Sequence, residues 1–264
     1  MRIMCIGDIF AKTGRRALRT ELLALREKYN IDYVIANAEN ATHCKGLTVK
    51  HYNELMSYGV DFFTMGNHTW NREDVYELLK TKFNIIRPYN IRFDSNYSMY
   101  GVGSRIVNFN GIKIRITNLL GESVMFNNKQ YSPFEAMDSI LESKEECDLH
   151  IVDFHAETTS EKNAFFCLYQ SKVSLIYGTH THVQTADERI RENTAFITDV
   201  GMTGPSDGII GAKIVNMIDK FKNNTGRFIL EEQVGKYQFC AIIVDFDMKT
   251  KTPISIERIY KYEE

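Results

Sequence analysis

The chain has 264 residues, 44% of them hydrophobic and 25% charged, an ordinary globular composition long enough to bury a large core. A formal net charge of −2 gives no global field toward nucleic acid or an anionic membrane, so extended nucleic-acid tracking is not expected. No window approaches the ~18 apolar residues of a membrane span. The N-terminal run MRIMCIGDIF lacks the apolar stretch and small-residue cleavage site of a signal peptide, so a cytoplasmic protein is expected. Cys5, Cys44, Cys147, Cys167 and Cys240 are scattered and form no Cys-x-x-Cys pair, which fits neither a disulfide framework nor a structural zinc site.

In chain order, residues 2–6 form a short apolar run ending at Gly7-Asp8, and residues 15–29 place Ala17, Leu18, Leu22 and Leu25 on one helical face. A second apolar run, 33–38, ends at Glu39-Asn40. Residues 48–58 read as a helix closed by Gly59, and residues 61–65 as a strand ending at Gly66-Asn67-His68. A helix over 72–80 and a short strand over 84–87 follow, before Pro88. Segments 105–109 and 113–118 flank Asn110-Gly111, a strong hairpin signal. Residues 133–143 read as a helix with Pro133 in its first turn. Buried strands are expected at 150–154, ending at His155, at 173–177, before Gly178-Thr179-His180, and at 194–198. From Arg227 the pattern is β: 227–230, then 237–247, a Lys-Thr turn, and 254–262. Residues 201–211 hold four glycines and Pro205 without a phosphate-loop spacing, and read as a flexible loop near the strand ends. The expected fold is α/β, a mixed β-sandwich flanked by helices, with residues 1–264 as one domain.

Five strand-like runs end in a residue able to bind metal: Asp8, Glu39, Asn67, His155 and His180. Parallel sheets gather such ends along one edge, where residues distant in sequence meet. In His180-Thr181-His182, alternate residues leaving a strand can point the same way. Carboxylate, amide and imidazole donors suit manganese, iron, cobalt, nickel or zinc better than they suit a closed thiolate site. His43, His51 and His150 read as surface or core histidines, and Trp70 and Tyr89 as packing residues rather than base-stacking platforms.

The order Asp8, Glu39-Asn40, Gly66-Asn67-His68, His155, His180-Thr181-His182 resembles the calcineurin-like metallophosphoesterases. The stretches NAENATHCKGLT, GNHTWNRED, DFHAETTSEK, GTHTHVQTAD and ITDVGMTGPSDGIIG resemble, more narrowly, the bacterial YmdB family, from Met1 to about Ile210. That family is described as 2′,3′-cyclic nucleotide 2′-phosphodiesterases. The resemblance implies two divalent or mixed-valence metal ions, iron or manganese first, with zinc, cobalt and nickel also compatible. It implies Asp8, Asn40 and His182 on one metal, Asn67, His155 and His180 on the other, and Glu39 between them. His68, next to a ligand, is the expected general acid for attack by a metal-bridging hydroxide.

Two positions depart from the wider superfamily. Phe10 occupies the place of a coordinating histidine, and Glu39 that of a bridging aspartate. Thr69 follows His68 where many relatives have an acidic residue to orient it, and the sequence does not show what replaces it. A nuclease or phosphoprotein phosphatase with the same metal core stays open, as does a regulatory protein that binds a cyclic nucleotide with incidental turnover. A homo-oligomer is compatible with the sequence.

Overall fold

The alternation of apolar runs and amphipathic segments builds two sheets from thirteen strands and six helices among the described residues. These residues, in a computed structural model, are 1–92, 100–124, 126, 130–143, 145–223 and 229–264. The first half comprises β1 (Arg2–Ile6), β2 (Asp8–Ile9), α1 (Ala11–Lys28), β3 (Tyr33–Asn37), α2 (Val49–Ser57), β4 (Phe62–Thr64), a 3-10 turn at Thr69–Asn71 and α3 (Asp74–Thr81). Next come β5 (Ser104–Phe109), β6 (Ile112–Leu120), α4 (Pro133–Glu142), β7 (Leu149–His155), α5 (Thr159–Tyr169) and β8 (Leu175–Thr179). The chain ends with β9 (Arg189–Arg191), β10 (Thr194–Ile197), β11 (Met202–Pro205), α6 (Ile214–Asn223), β12 (Tyr237–Asp247) and β13 (Thr252–Tyr262).

One sheet runs β2-β11-β12-β1-β3-β4 with β13 on β12, and the other β5-β6-β7-β8-β10-β9. Within them β1, β3 and β4 are mutually parallel, as are β6, β7, β8 and β10. The sheets pack face to face through Ile3, Cys5, Ile35 and Phe62 on one side and Ile116, Ile151, Leu175 and Ile197 on the other. Helices α1 to α3 cover the outer face of the first sheet through Leu18, Leu22, Leu55 and Leu78, and α4 and α5 cover the second through Met137, Phe165 and Phe166. This is the helix-flanked mixed sandwich that the sequence predicts.

Several local expectations change. Residues 84–87 make only an isolated bridge, Ile85 to Phe63, because the chain turns at Pro88 and the Arg87 guanidinium donates to the carbonyls of Pro88 and Tyr100. The strand expected over 173–177 sits two residues later, which brings Thr179 into the sheet. Helix α1 starts at Ala11, four residues early, because Gly14 allows it to lie against β11: a Cβ there would be 2.4 Å from the Thr203 carbonyl oxygen. Residues 202–205 of the expected loop form the fully buried β11, paired with β2 and β12, so only Gly201 and the part after Pro205 lie outside a strand. Of the strand expected over 227–230, Arg227 and Phe228 lie outside the described residues, and Ile229 and Leu230 belong to no strand. Helix α5 carries no clean apolar stripe in sequence, since it buries Lys162 among its aromatics, whereas α6 has one, Ile214, Met217, Ile218 and Phe221, of which only Met217 is buried.

Candidate metal centre and catalytic pocket

Parallel pairing puts the carboxyl ends of β1, β3 and β4 on one edge and those of β7 and β8 on the facing edge of the other sheet. The two edges meet directly: the His180 backbone N–H donates to Asp8 Oδ2 (3.0 Å), and His155 Nε2 lies 3.2 Å from Glu39 Oε1. Glycine makes this approach possible. A Cβ on Gly66 would lie 2.3 Å from Glu39 Oε2 and 2.4 Å from His155 Nε2.

All seven residues singled out as ligands gather here. Asp8, Glu39 and His155 are buried, with exposures of 0%, 1% and 0%, while Asn67 and His180 are half-buried at the rim. The ligating atoms of Glu39, His155 and His180 lie within 4.8 Å of one another. Asn67 Oδ1 is 3.1 Å and His180 Nδ1 3.0 Å from His155 Nε2. On the other side, His182 Nε2 is 3.8 Å from Asp8 Oδ1 and 3.3 Å from the Asn40 amide, which also reaches Glu39 Oε1 at 3.1 Å. Phe10 cannot coordinate and instead packs edge-on against His182, ring centroids 5.5 Å apart.

The tautomers show what this cluster suits. Thr179 Oγ1 donates to Asp153 Oδ1 (2.6 Å), so it accepts from His155 Nδ1–H (2.9 Å), leaving Nε2 as the nitrogen that faces Glu39, Asn67 and His180. His180 Nε2–H donates to Glu157 Oε2 (2.8 Å), leaving Nδ1 facing inward. His182 Nδ1–H donates to the Ile210 carbonyl (2.9 Å), leaving Nε2 facing Asp8 and Asn40. Three imidazole lone pairs thus converge on two buried carboxylates, each ring held by its outer nitrogen, as metal-binding histidines are. Asp8 Oδ1 is buried without a hydrogen-bond donor among the described residues. Acceptors packed this closely need positive charge between them, and the donor set fits transition-metal ions.

The titration tendencies report the same demand. Burial opposes a charged His155, but the Glu39 carboxylate, with Asp8 and Asp153, outweighs it and raises His155 to about 9, so Nε2 offers its lone pair only when a metal ion displaces that proton. Burial raises Asp8, against the pull of His182 and His155. Burial would also raise Glu39, yet His155 and His68 hold it well below the usual carboxylate range. His180, desolvated and beside His155, falls to about 2.

His68 lines the pocket, and its backbone N–H donates to Glu39 Oε2 (2.8 Å). Asn71 Oδ1 lies 3.1 Å from its Nδ1 and takes the place of the acidic neighbour that Thr69 does not supply. The cavity measures about 240 Å³. His43, His51 and His150 lie outside the cluster. His51 bonds to Thr42 Oγ1 (2.7 Å), and His150, near the start of β7, to Thr117 Oγ1 (2.9 Å). Trp70 packs against Phe126, and Tyr89 against the core beneath α4 and α5.

Sequence reasoning missed the groups that hold the ligands. Thr179, Glu157, Ile210 and Asn71 are ordinary residue types with no local signal. Behind them, Lys162 Nζ donates to Asp199 Oδ2 (2.6 Å) and to the Thr179 carbonyl (2.9 Å), while Asp199 accepts from Thr181 N–H (3.2 Å). This buried pair braces a loop in which His180 (φ 94°) and His182 (φ 66°) both take left-handed backbone conformations. Ile210, which aims its carbonyl at His182, is left-handed too (φ 47°), an uncommon state for a β-branched residue.

Comparison with known proteins decides the family. Residues 4–259 match the family model of YmdB-like protein. The chain belongs to this family. A Mycoplasma genitalium relative, named for phosphatase or phosphodiesterase activity without a choice between them, is 42% identical over 261 residues, covering 98% of this chain and 92% of its own. The 2′,3′-cyclic-nucleotide 2′-phosphodiesterase of Bacillus subtilis is 40% identical over 262 residues, covering 98% and 96%. The crystal structure of a Mycoplasma pneumoniae phosphatase superposes with a TM-score of 0.96 at 42% identity, covering 100% of this chain and 94% of that one. No helix among the described residues of this YmdB-like chain is long and apolar enough to cross a membrane.

Proposed function

We propose that the chain is a metal-dependent phosphoric ester hydrolase that opens 2′,3′-cyclic nucleotides with two transition-metal ions. The observation that carries this is the convergence of three oriented imidazole lone pairs on the buried carboxylates of Asp8 and Glu39. The activity in the name of the Bacillus subtilis relative supports the substrate class. Asp8, Asn40 and His182 would hold one ion, Asn67, His155 and His180 the other, with Glu39 shared. Iron or manganese, including a mixed-valence pair, is the first choice to test, with zinc, cobalt and nickel next. Bound ions would supply an activated water and neutralise charge on the phosphoryl oxygens.

The protein's own groups account for the rest. With Nδ1 tied to Asn71, His68 keeps Nε2 for the substrate. Water adds to phosphorus, the P–O2′ bond breaks, and O2′ takes the Nε2 proton of a protonated His68, leaving a 3′-phosphate. Burial lowers His68 below its ordinary value, against the pull of Glu39, so this step is favoured at mildly acid pH. The small cavity favours a mononucleotide over a folded phosphoprotein or an extended nucleic acid.

The test is metal analysis of the purified protein, together with hydrolysis of 2′,3′-cAMP, bis-p-nitrophenyl phosphate, RNA and a phosphopeptide before and after chelation. Chelator-sensitive turnover of 2′,3′-cAMP above the other substrates is expected. No turnover in any metal-loaded form would refute the reading, and tight 2′,3′-cAMP binding without turnover would favour a regulatory binding protein.

A further inference from the structure

The pocket above the cluster has two unlike walls. One carries the candidate ligands and His68; the other is mainly apolar, formed by Phe10, Cys44, Ile210, Ala212, Met217 and Leu230, with the Lys220 side chain beside them. A phosphate ester alone has no use for the second wall. That wall is also not needed to join the sheets: Phe10, Ala11, Cys44 and Met202, with Leu230 against them, form a small cluster separate from the sandwich core and from the helix-covered faces. Phe10 is held firmly within it. A Cβ on Gly211 would lie 2.8 Å from its ring, one on Gly204 2.8 Å from its Cβ, and its ring sits edge-on to His182. The residue that replaces a coordinating histidine therefore forms a rigid, buried apolar backing to the pocket, in contact with a candidate ligand.

We propose that this wall is a nucleobase subsite. The base of a mononucleotide rests against Leu230, with the buried Phe10 and Met217 side chains behind that contact, while its ribose phosphate reaches the cluster. The proposal rests on the phosphodiesterase reading above and adds to it the residues that select a nucleoside ester over a simple one. A cavity of about 240 Å³, below the ~300–1,000 Å³ usual for small-molecule sites, limits the occupant to one nucleotide unit. Apolar and aromatic side chains accept any base through its ring face, so the subsite favours nucleosides as a class and discriminates weakly among bases.

The test compares full-length wild type with Leu230→Ala and Met217→Leu, and with Val215→Ala, an exposed position on the same helix, as control. The readout is the ratio of kcat/KM for adenosine 2′,3′-cyclic phosphate to that for base-free ribose 2′,3′-cyclic phosphate. We expect Leu230→Ala to lower this ratio roughly tenfold or more, the usual effect of emptying an apolar contact. Met217→Leu, which keeps the volume, should lower it less, and Val215→Ala should leave it unchanged. Equal losses on both substrates, or an unchanged ratio in Leu230→Ala, would overturn the subsite. Calorimetric binding of adenosine 3′-monophosphate and of inorganic phosphate gives a second readout without turnover: Leu230→Ala should weaken only the nucleotide. A wild type that hydrolyses bis-p-nitrophenyl phosphate but neither cyclic phosphate would reject the substrate class, and the binding comparison would still decide the subsite.

Discussion

Replacing Gly66 by alanine tests whether the cluster depends on the close approach of the two sheet edges. The new methyl carbon would lie 2.3 Å from Glu39 Oε2 and 2.4 Å from His155 Nε2, so reaching a tolerable 3.0 Å separation requires a retreat of about 0.7 Å. The loop cannot easily supply it, because the Gly66 carbonyl accepts from both the backbone N–H (3.2 Å) and the hydroxyl (2.5 Å) of Thr69. Gly66 is not in the left-handed region, so alanine adds contact without backbone strain. The carboxylate and imidazole must therefore move, beyond the ~0.5 Å tolerance of a working site. A displacement of that order costs roughly 10²-fold in turnover, and overpacking costs about 1–3 kcal/mol of stability. Metal content by mass spectrometry, bis-p-nitrophenyl phosphate hydrolysis and urea unfolding on the same preparation provide the assay. A Gly66→Ala protein with full metal content and activity within threefold of wild type, ~0.6 kcal/mol or less, would refute the reasoning.

Other predictions separate the roles within the site and around it. His68→Ala should lose about 10²–10⁴-fold in turnover with metal content near wild type, whereas Asp8→Ala and Glu39→Ala should lose metal; loss of metal in His68→Ala would contradict its assignment as the acid. Lys162→Met leaves Asp199 buried and unpaired and should cost about 3–5 kcal/mol, measured by urea unfolding, with part restored in Lys162→Met/Asp199→Asn. His150 offers a pH test away from the site. Burial and Arg115 lower it to about 3 in the fold, so between that value and ~6.5 the unfolded chain binds the extra proton and stability rises with pH. His150→Gln should therefore show a smaller gain in urea midpoint between pH 4.5 and 7.5 than wild type; an equal gain would reject the assignment.

Much of the candidate site is legible in the sequence because its residues sit at the ends of short apolar runs. Asp8, Glu39, Asn67, His155 and His180 each follow or close a strand, and parallel strands must line up such ends. The two-layer sandwich is equally legible, from strand and helix periods in the first half and hairpin signals in the second. Where the local signal is weak, the reading fails. β11 hides in a glycine-rich run, and α5 buries a lysine that belongs to an ion pair formed across 37 residues.

The sequence by itself determined which residues could bind metal and that strand ends would carry them. Only the tertiary structure decided that the edges of two different sheets meet closely enough for Glu39 and Asp8 to face His155, His180 and His182. It also decided which nitrogen of each ring points inward, through Thr179, Glu157 and Ile210. The physical reason is that a donor's identity is a local property of the chain. Its lone-pair direction depends on a partner that long-range packing supplies and no local pattern encodes.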